Sequence, residues 1–141
     1  MMELKYSEVL KLNKELGNNL KSSSYDITVL SNIIVHQSKE MLEYSLRGEG
    51  INANVKFGDY DNIVQDSKKY QDSNSVIIFW ELCNIIDGLQ YKIELMNNNQ
   101  LNELLEKTKI EIDLVMKNLE KTSLVLMNKF TSLSFSYSKI R

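Results

Sequence analysis

The stretch Val76-Ile77-Ile78-Phe79-Trp80, running on into Glu81-Leu82-Cys83-Asn84, decides the fold. It is a continuous apolar run rich in β-branched and aromatic residues. That is the signature of a strand covered on both faces, as in a parallel sheet. "QDSNS", Gln71–Ser75, supplies turn residues just before it. A buried parallel strand needs helices above and below, so its neighbours along the chain should alternate in type.

Toward the N-terminus they do. Tyr60 to Tyr70 reads as a short helix with Ile63 and Val64 inward, and Ala53 to Phe57 as a weaker strand. His36 to Arg47 has helical spacing through Met41, Leu42, Ser45 and Leu46, and Gly48 and Gly50 stop it. Ile27 to Leu30 reads as a short buried strand. Glu3 to about Lys21 opens the chain as a helix, with Val9, Leu12, Leu16 and Leu20 on one stripe.

Toward the C-terminus, Asn84 to Met96 is expected to be helical. After the break at "NNN", Leu101, Leu104, Leu105, Ile112, Val115 and Leu119 form a long amphipathic stripe. Glu103 with Lys107 and Asp113 with Lys117 add favourable i,i+4 pairs. Leu124 to Met127 is a fourth strand. "TSLSFSYS", Thr131–Ser138, sets Leu133, Phe135 and Tyr137 against alternating serines, the period of a fifth strand or an extended edge. The expectation is an α/β fold with a mainly parallel sheet of four or five strands. With no covering helix after the last of them, residues 1–141 read as one domain from the N-terminal end of a longer multidomain protein.

Composition narrows the function. The chain has 141 residues, 43% hydrophobic and 26% charged, with a net charge of −2. That balance, without a basic cluster, argues against nucleic acid. No stretch approaches the roughly 20 apolar residues of a membrane span. The charged, amphipathic start is no signal peptide. A single cysteine, Cys83, excludes an internal disulfide and fits a reducing, cytoplasmic setting. With no proline and five glycines, turns must use Asn, Asp and Ser.

In parallel sheets ligands bind beyond the carboxyl ends of the strands, where strand order reverses. That selects Ser31 and Asn32, Gly58 to Tyr60, Glu81 to Asn84, and Asn128 to Thr131. Asp59-Tyr60-Asp61 has the form of a phosphotransferase Asp-x-Asp, in which the first Asp sits directly at a strand end and the second acts as acid and base. Here Gly58 intervenes, no acidic pair follows the later strands, and Asp59 or Asp61 as a helix N-cap accounts for the pattern without chemistry. His36, the single histidine, could activate Cys83 if the first and third strands are neighbours; the plain alternative is a solvated His and a small buried Cys. One His and one Cys make a zinc site improbable, and no metal site is expected in this chain. Trp80 is expected in the core, or lining a pocket with Tyr60.

"LKYSEVLKLNKEL", "ITVLSN", "MLEYSLRGEGINANVKFGDYDNIVQDS" and "LVLMNKF" together resemble the N-terminal domain of FkbH-like proteins of the haloacid-dehalogenase superfamily. The resemblance runs from about Leu4 to about Phe130. It implies a flavodoxin-like three-layer sandwich similar to SGNH (GDSL-type) hydrolases. It also implies a haloacid-dehalogenase-like phosphatase or transferase domain after Arg141, of glyceryl-transfer type in polyketide or surface-polysaccharide biosynthesis, which alone would carry Mg2+. Partners would be that domain and an acyl-carrier protein or small-molecule ligand.

An SGNH hydrolase needs a serine after the first strand with a His base, an oxyanion Gly after the second and an Asn after the third. "VLSNII" stands at the first block with Ile33 in the nucleophile register and Ser31 two residues off. Gly58 fits the second block, Asn84 lies near the third, and the late Asp-x-x-His block is missing. The reading that follows is a noncatalytic or degenerate domain that positions a carrier, substrate or neighbouring domain. Its crevice would be formed by Ser31, Asn32, Gly58, Tyr60, Glu81, Asn84 and Asn128. The alternatives are an esterase or acyl hydrolase using Ser31, and a structural domain that homodimerises through its unfinished edge.

Overall fold

The computed structural model describes residues 3–130. Helix α1 (Tyr6–Asn19) leads into strand β1 (Tyr25–Ser31), helix α2 (Ser38–Gly48), strand β2 (Ala53–Phe57), helix α3 (Ile63–Lys69) and strand β3 (Ser75–Phe79). Two short helices, α4 (Leu82–Ile85) and α5 (Leu89–Lys92), and a 3-10 turn (Ile93–Leu95) follow. Helix α6 (Asn98–Asn118) and strand β4 (Leu124–Met127) complete the described chain. The expected fifth strand at Leu133–Tyr137 lies outside the described residues.

The four strands are all parallel, in the order β2-β1-β3-β4. Helices cover both faces, as the sequence predicts, in a three-layer sandwich. Alternation along each strand divides the core. Leu30, Val76, Ile78 and Trp80 pack with Ile63 of α3 and with Val115 and Leu119 at the end of α6. Ile27, Val29, Ala53 and Val55 pack on the opposite face with Leu42 and Leu46 of α2. Each fully buried Val, Leu or Ile among these contributes roughly 1.5–3 kcal/mol on burial.

The expected helix Asn84–Met96 is broken. Gly88 takes a left-handed φ of 70°, which ends the hydrogen-bond ladder between α4 and α5. The next long helix starts earlier than its apolar stripe predicts. Asn97 Oδ1 accepts from Gln100 N–H at 2.9 Å, and Gln100 Oε1 accepts from Asn97 N–H at 3.0 Å. This reciprocal pair fixes the N-terminus of α6.

The two sheet edges differ. On β2, the Glu43 carboxylate accepts from Val55 N–H at 3.0 Å, while Arg47 donates to Ala53 C=O at 2.9 and 3.2 Å. Asn13 of α1 donates to Glu43 at 3.0 Å and accepts from Arg47 at 2.9 Å. Two side chains of α2 thus stand in for a neighbouring strand. On β4, Leu124 and Leu126 are 44% and 50% exposed.

Candidate functional site

Strand order reverses between β1 and β3, whose carboxyl ends meet at Ser31–Asn32 and Trp80–Asn84. Asn32 is fully buried. Its Oδ1 accepts from Glu81 N–H at 2.7 Å and its Nδ2 donates to Glu81 C=O at 2.9 Å. The side-chain amide therefore continues the β1–β3 ladder one step past the last backbone pair. Asn84 Nδ2 closes the corner on Asn32 C=O at 2.9 Å. Asn128 repeats the device beyond β4: its Oδ1 accepts from Trp80 N–H at 2.7 Å and its Nδ2 donates to Trp80 C=O at 3.0 Å. An asparagine amide carries a donor and an acceptor in the spacing of a peptide group, so each can pair with the N–H and C=O of one residue past the end of the ladder.

The β2–α3 loop is held from below. Asp66, 2% exposed on the inner face of α3, accepts from Asp59 N–H at 2.6 Å and from Asn62 Nδ2 at 3.0 Å. A Cβ on Gly58 would lie 2.5 Å from Asp66 Oδ2 and 2.7 Å from Leu30 Cδ2, so only glycine lets the carboxylate come this close. Gly58 N–H and Asp61 N–H then bond to the carbonyls of Val29 and Ser31 at 2.9 and 3.0 Å, pinning the loop to β1. Asp61 adopts a left-handed φ of 54°. The expected helix cap at Asp59 or Asp61 is corrected: α3 starts after Asn62, and no side chain caps it. The Asp-x-Asp does not fit a phosphotransfer pair with Mg2+, because the amide of Asp59 is committed to Asp66 and Gly58 separates the pair from the strand.

Ser31 is buried, and its hydroxyl donates to Ile33 C=O at 2.9 Å. His36 is exposed and stacks on Phe57, ring centroids 4.6 Å apart. β1 and β3 are neighbours, as the His36–Cys83 pairing required, but the imidazole is turned to β2 on the other side of β1. Cys83 is half-buried in α4.

A half-open crevice of about 250 Å³ lies beside these strand ends, lined by Asp61, Ile63, Val64, Gln65, Trp80, Asn84, Ile85 and Glu111. Of the expected crevice residues only Asn84 lines it. Trp80, 3% exposed, forms part of its wall, with Asp61 rather than Tyr60 as its neighbour in the lining. Tyr60 points to solvent at 60% exposure. Glu81 and Gly58 serve through their backbones. Two carboxylates and no Lys or Arg among the lining residues make the crevice unfavourable for a phosphate. Sequence reasoning missed Asp66 and Glu111. Asp66 was findable as the polar residue three positions after Ile63 on the inward stripe. Glu111, on a mostly solvated helix, carried no signal.

Among the described residues, no three His, Cys, Asp or Glu side chains converge as metal ligands. No helix among them is long and apolar enough to cross a membrane. No protein-family model and no curated protein matches the chain. Among solved structures, its fold is similar to the N-terminal part of the protein BF1531 from Bacteroides fragilis, which contains a phosphatase domain and is complexed with Mg. The TM-score is 0.67 at 13% sequence identity, over 96% of this chain and 35% of that one. The likeness is one of fold. This chain spans about a third of the length of that structure.

Proposed function

We propose that the chain is a noncatalytic, SGNH-like domain of an FkbH-like protein of the haloacid-dehalogenase superfamily. Its role is to position a carrier, a substrate or a neighbouring phosphatase-type domain. One observation carries the reading: the polar side chains where a hydrolase would keep its machinery serve the backbone. Ser31 donates to Ile33 C=O, and Asn32 is consumed by the Glu81 peptide. The single histidine lies against Phe57 rather than beside a nucleophile. The fold likeness to the N-terminal part of BF1531 supports the placement. The acidic crevice, with no Lys or Arg in its lining, supports the view that phosphate binding belongs to the neighbouring domain.

The competing reading is an esterase with Ser31 as nucleophile. Turnover of p-nitrophenyl acetate by the wild-type chain and by Ser31→Ala separates the two. The proposal expects both proteins to match the buffer background. Saturable turnover that Ser31→Ala abolishes would overturn it.

A further inference from the structure

Among the described residues, the outer edge of β4 has no cover of the kind that Glu43 and Arg47 provide on β2. Among the described residues, neither a strand nor a side chain is bonded to the outer side of Leu124–Met127. On the α2 face of the sheet, Leu126 sits in register with Ile77, and Leu124 with Ser75. Ile77 and Phe79 are half-buried there, and Leu124 and Leu126 are exposed. The result is an apolar strip running to an open edge, a ready site for an added strand.

We propose that this edge is the docking site of the chain's own segment Ser132–Phe135, pairing antiparallel with β4. Three sequence facts select this occupant. The segment follows the end of β4 at Met127 after only four residues, Asn128–Thr131, which gives it a high effective concentration at the edge. So short a connection excludes a parallel neighbour, which needs a crossover of about a dozen residues or more. And its side chains alternate, Leu133 and Phe135 against Ser132 and Ser134, so one register alone is productive. With Asn128–Thr131 as a four-residue loop, Leu133 stands opposite Leu126 and Phe135 opposite Leu124. Both apolar side chains then extend the strip beside Ile77. A slip of one residue sends them to the other face and leaves serines over Leu124 and Leu126.

The register is testable by cross-linking in a Cys83→Ser background. Leu124→Cys with Phe135→Cys should oxidise to an intramolecular disulfide, since directly opposed residues of a strand pair meet the distance a disulfide needs. Leu124→Cys with Ser134→Cys should oxidise about tenfold more slowly, because the second thiol points to the opposite face. Equal rates for the two pairs would mean a loose tether and would overturn the proposal. Disulfide-linked dimers from the first pair would overturn it in favour of a second copy at the edge. A readout without cysteine variants is amide exchange of the unmodified chain against one cut after Phe130. The proposal expects faster exchange in β4 of the shortened chain, and unchanged rates would contradict it.

Discussion

The amide of Asn32 brackets the peptide of Glu81, accepting from its N–H at 2.7 Å and donating to its C=O at 2.9 Å. A residue placed where a ligand site is expected is thereby a piece of the sheet. Asn32→Ala leaves Glu81 N–H without its partner in a part-buried site, while Glu81 C=O still accepts from the N–H groups of Asn84 and Ile85 at 3.1 and 3.2 Å. Urea denaturation should show a loss of about 1–3 kcal/mol. Asn128→Ala should cost less, because Asn128 is half-exposed and water can replace its amide. An unchanged midpoint for Asn32→Ala would return that residue to the ligand-binding candidates.

Glu43 and Arg47 act as one unit, 3.4 Å apart and each bonded to the edge of β2. Removing buried Glu43 takes the counter-charge from half-buried Arg47, which keeps its bonds to Ala53 and Asn13. Glu43→Ala is expected to destabilise by about 1–3 kcal/mol. It also uncovers Val55 N–H on an edge strand. Light scattering at rising concentration should show association in the variant and none through this edge in the wild type.

Gly58 and Asp66 should couple. Gly58→Ala forces the Asp66 carboxylate and Leu30 aside, at about 1–3 kcal/mol. Asp66→Ala releases the loop but removes the atom that Cβ would strike. The double variant should therefore be more stable than the sum of the single losses predicts, by at least roughly 0.5 kcal/mol. Strict additivity in a double-mutant cycle would place the two residues out of contact.

Hydrogen bonds from Asn54 and Ser24 hold the Asp26 carboxyl below its ordinary value, with Lys56 adding to the effect. A carboxylate whose pKa is depressed on folding stabilises the fold above its unfolded value, and that contribution is lost as pH falls through the folded one. Thermal midpoints measured downward from pH 7 should fall in the acid range, and Asp26→Asn should flatten part of that fall. The site is solvent-exposed, so the effect is small and weakens with salt.

The sheet was legible in sequence because its strands are apolar runs bounded by Asn, Ser and Gly. β2 and β4 have the expected boundaries, and β1 and β3 differ at their ends by one or two residues. Helix ends were less legible. Apolar stripes report which residues face the core, whereas α6 starts at a polar reciprocal cap and the segment after β3 is broken by one glycine. The candidate site was legible as a place, not as a set of roles. Sequence order locates Ser31, Asn32, Glu81 and Asn128 at strand ends. Whether an asparagine amide meets a ligand or a peptide depends on long-range pairing, across 49 positions for Asn32 and Glu81.

Amide hydrogen exchange at Glu81 and Trp80 tests most directly whether the strand-end asparagines serve the sheet. The account predicts slow exchange at both in the wild type, with protection lost at Glu81 in Asn32→Ala and at Trp80 in Asn128→Ala. Exchange at Glu81 and Trp80 as fast as in an open loop in the wild type would contradict it.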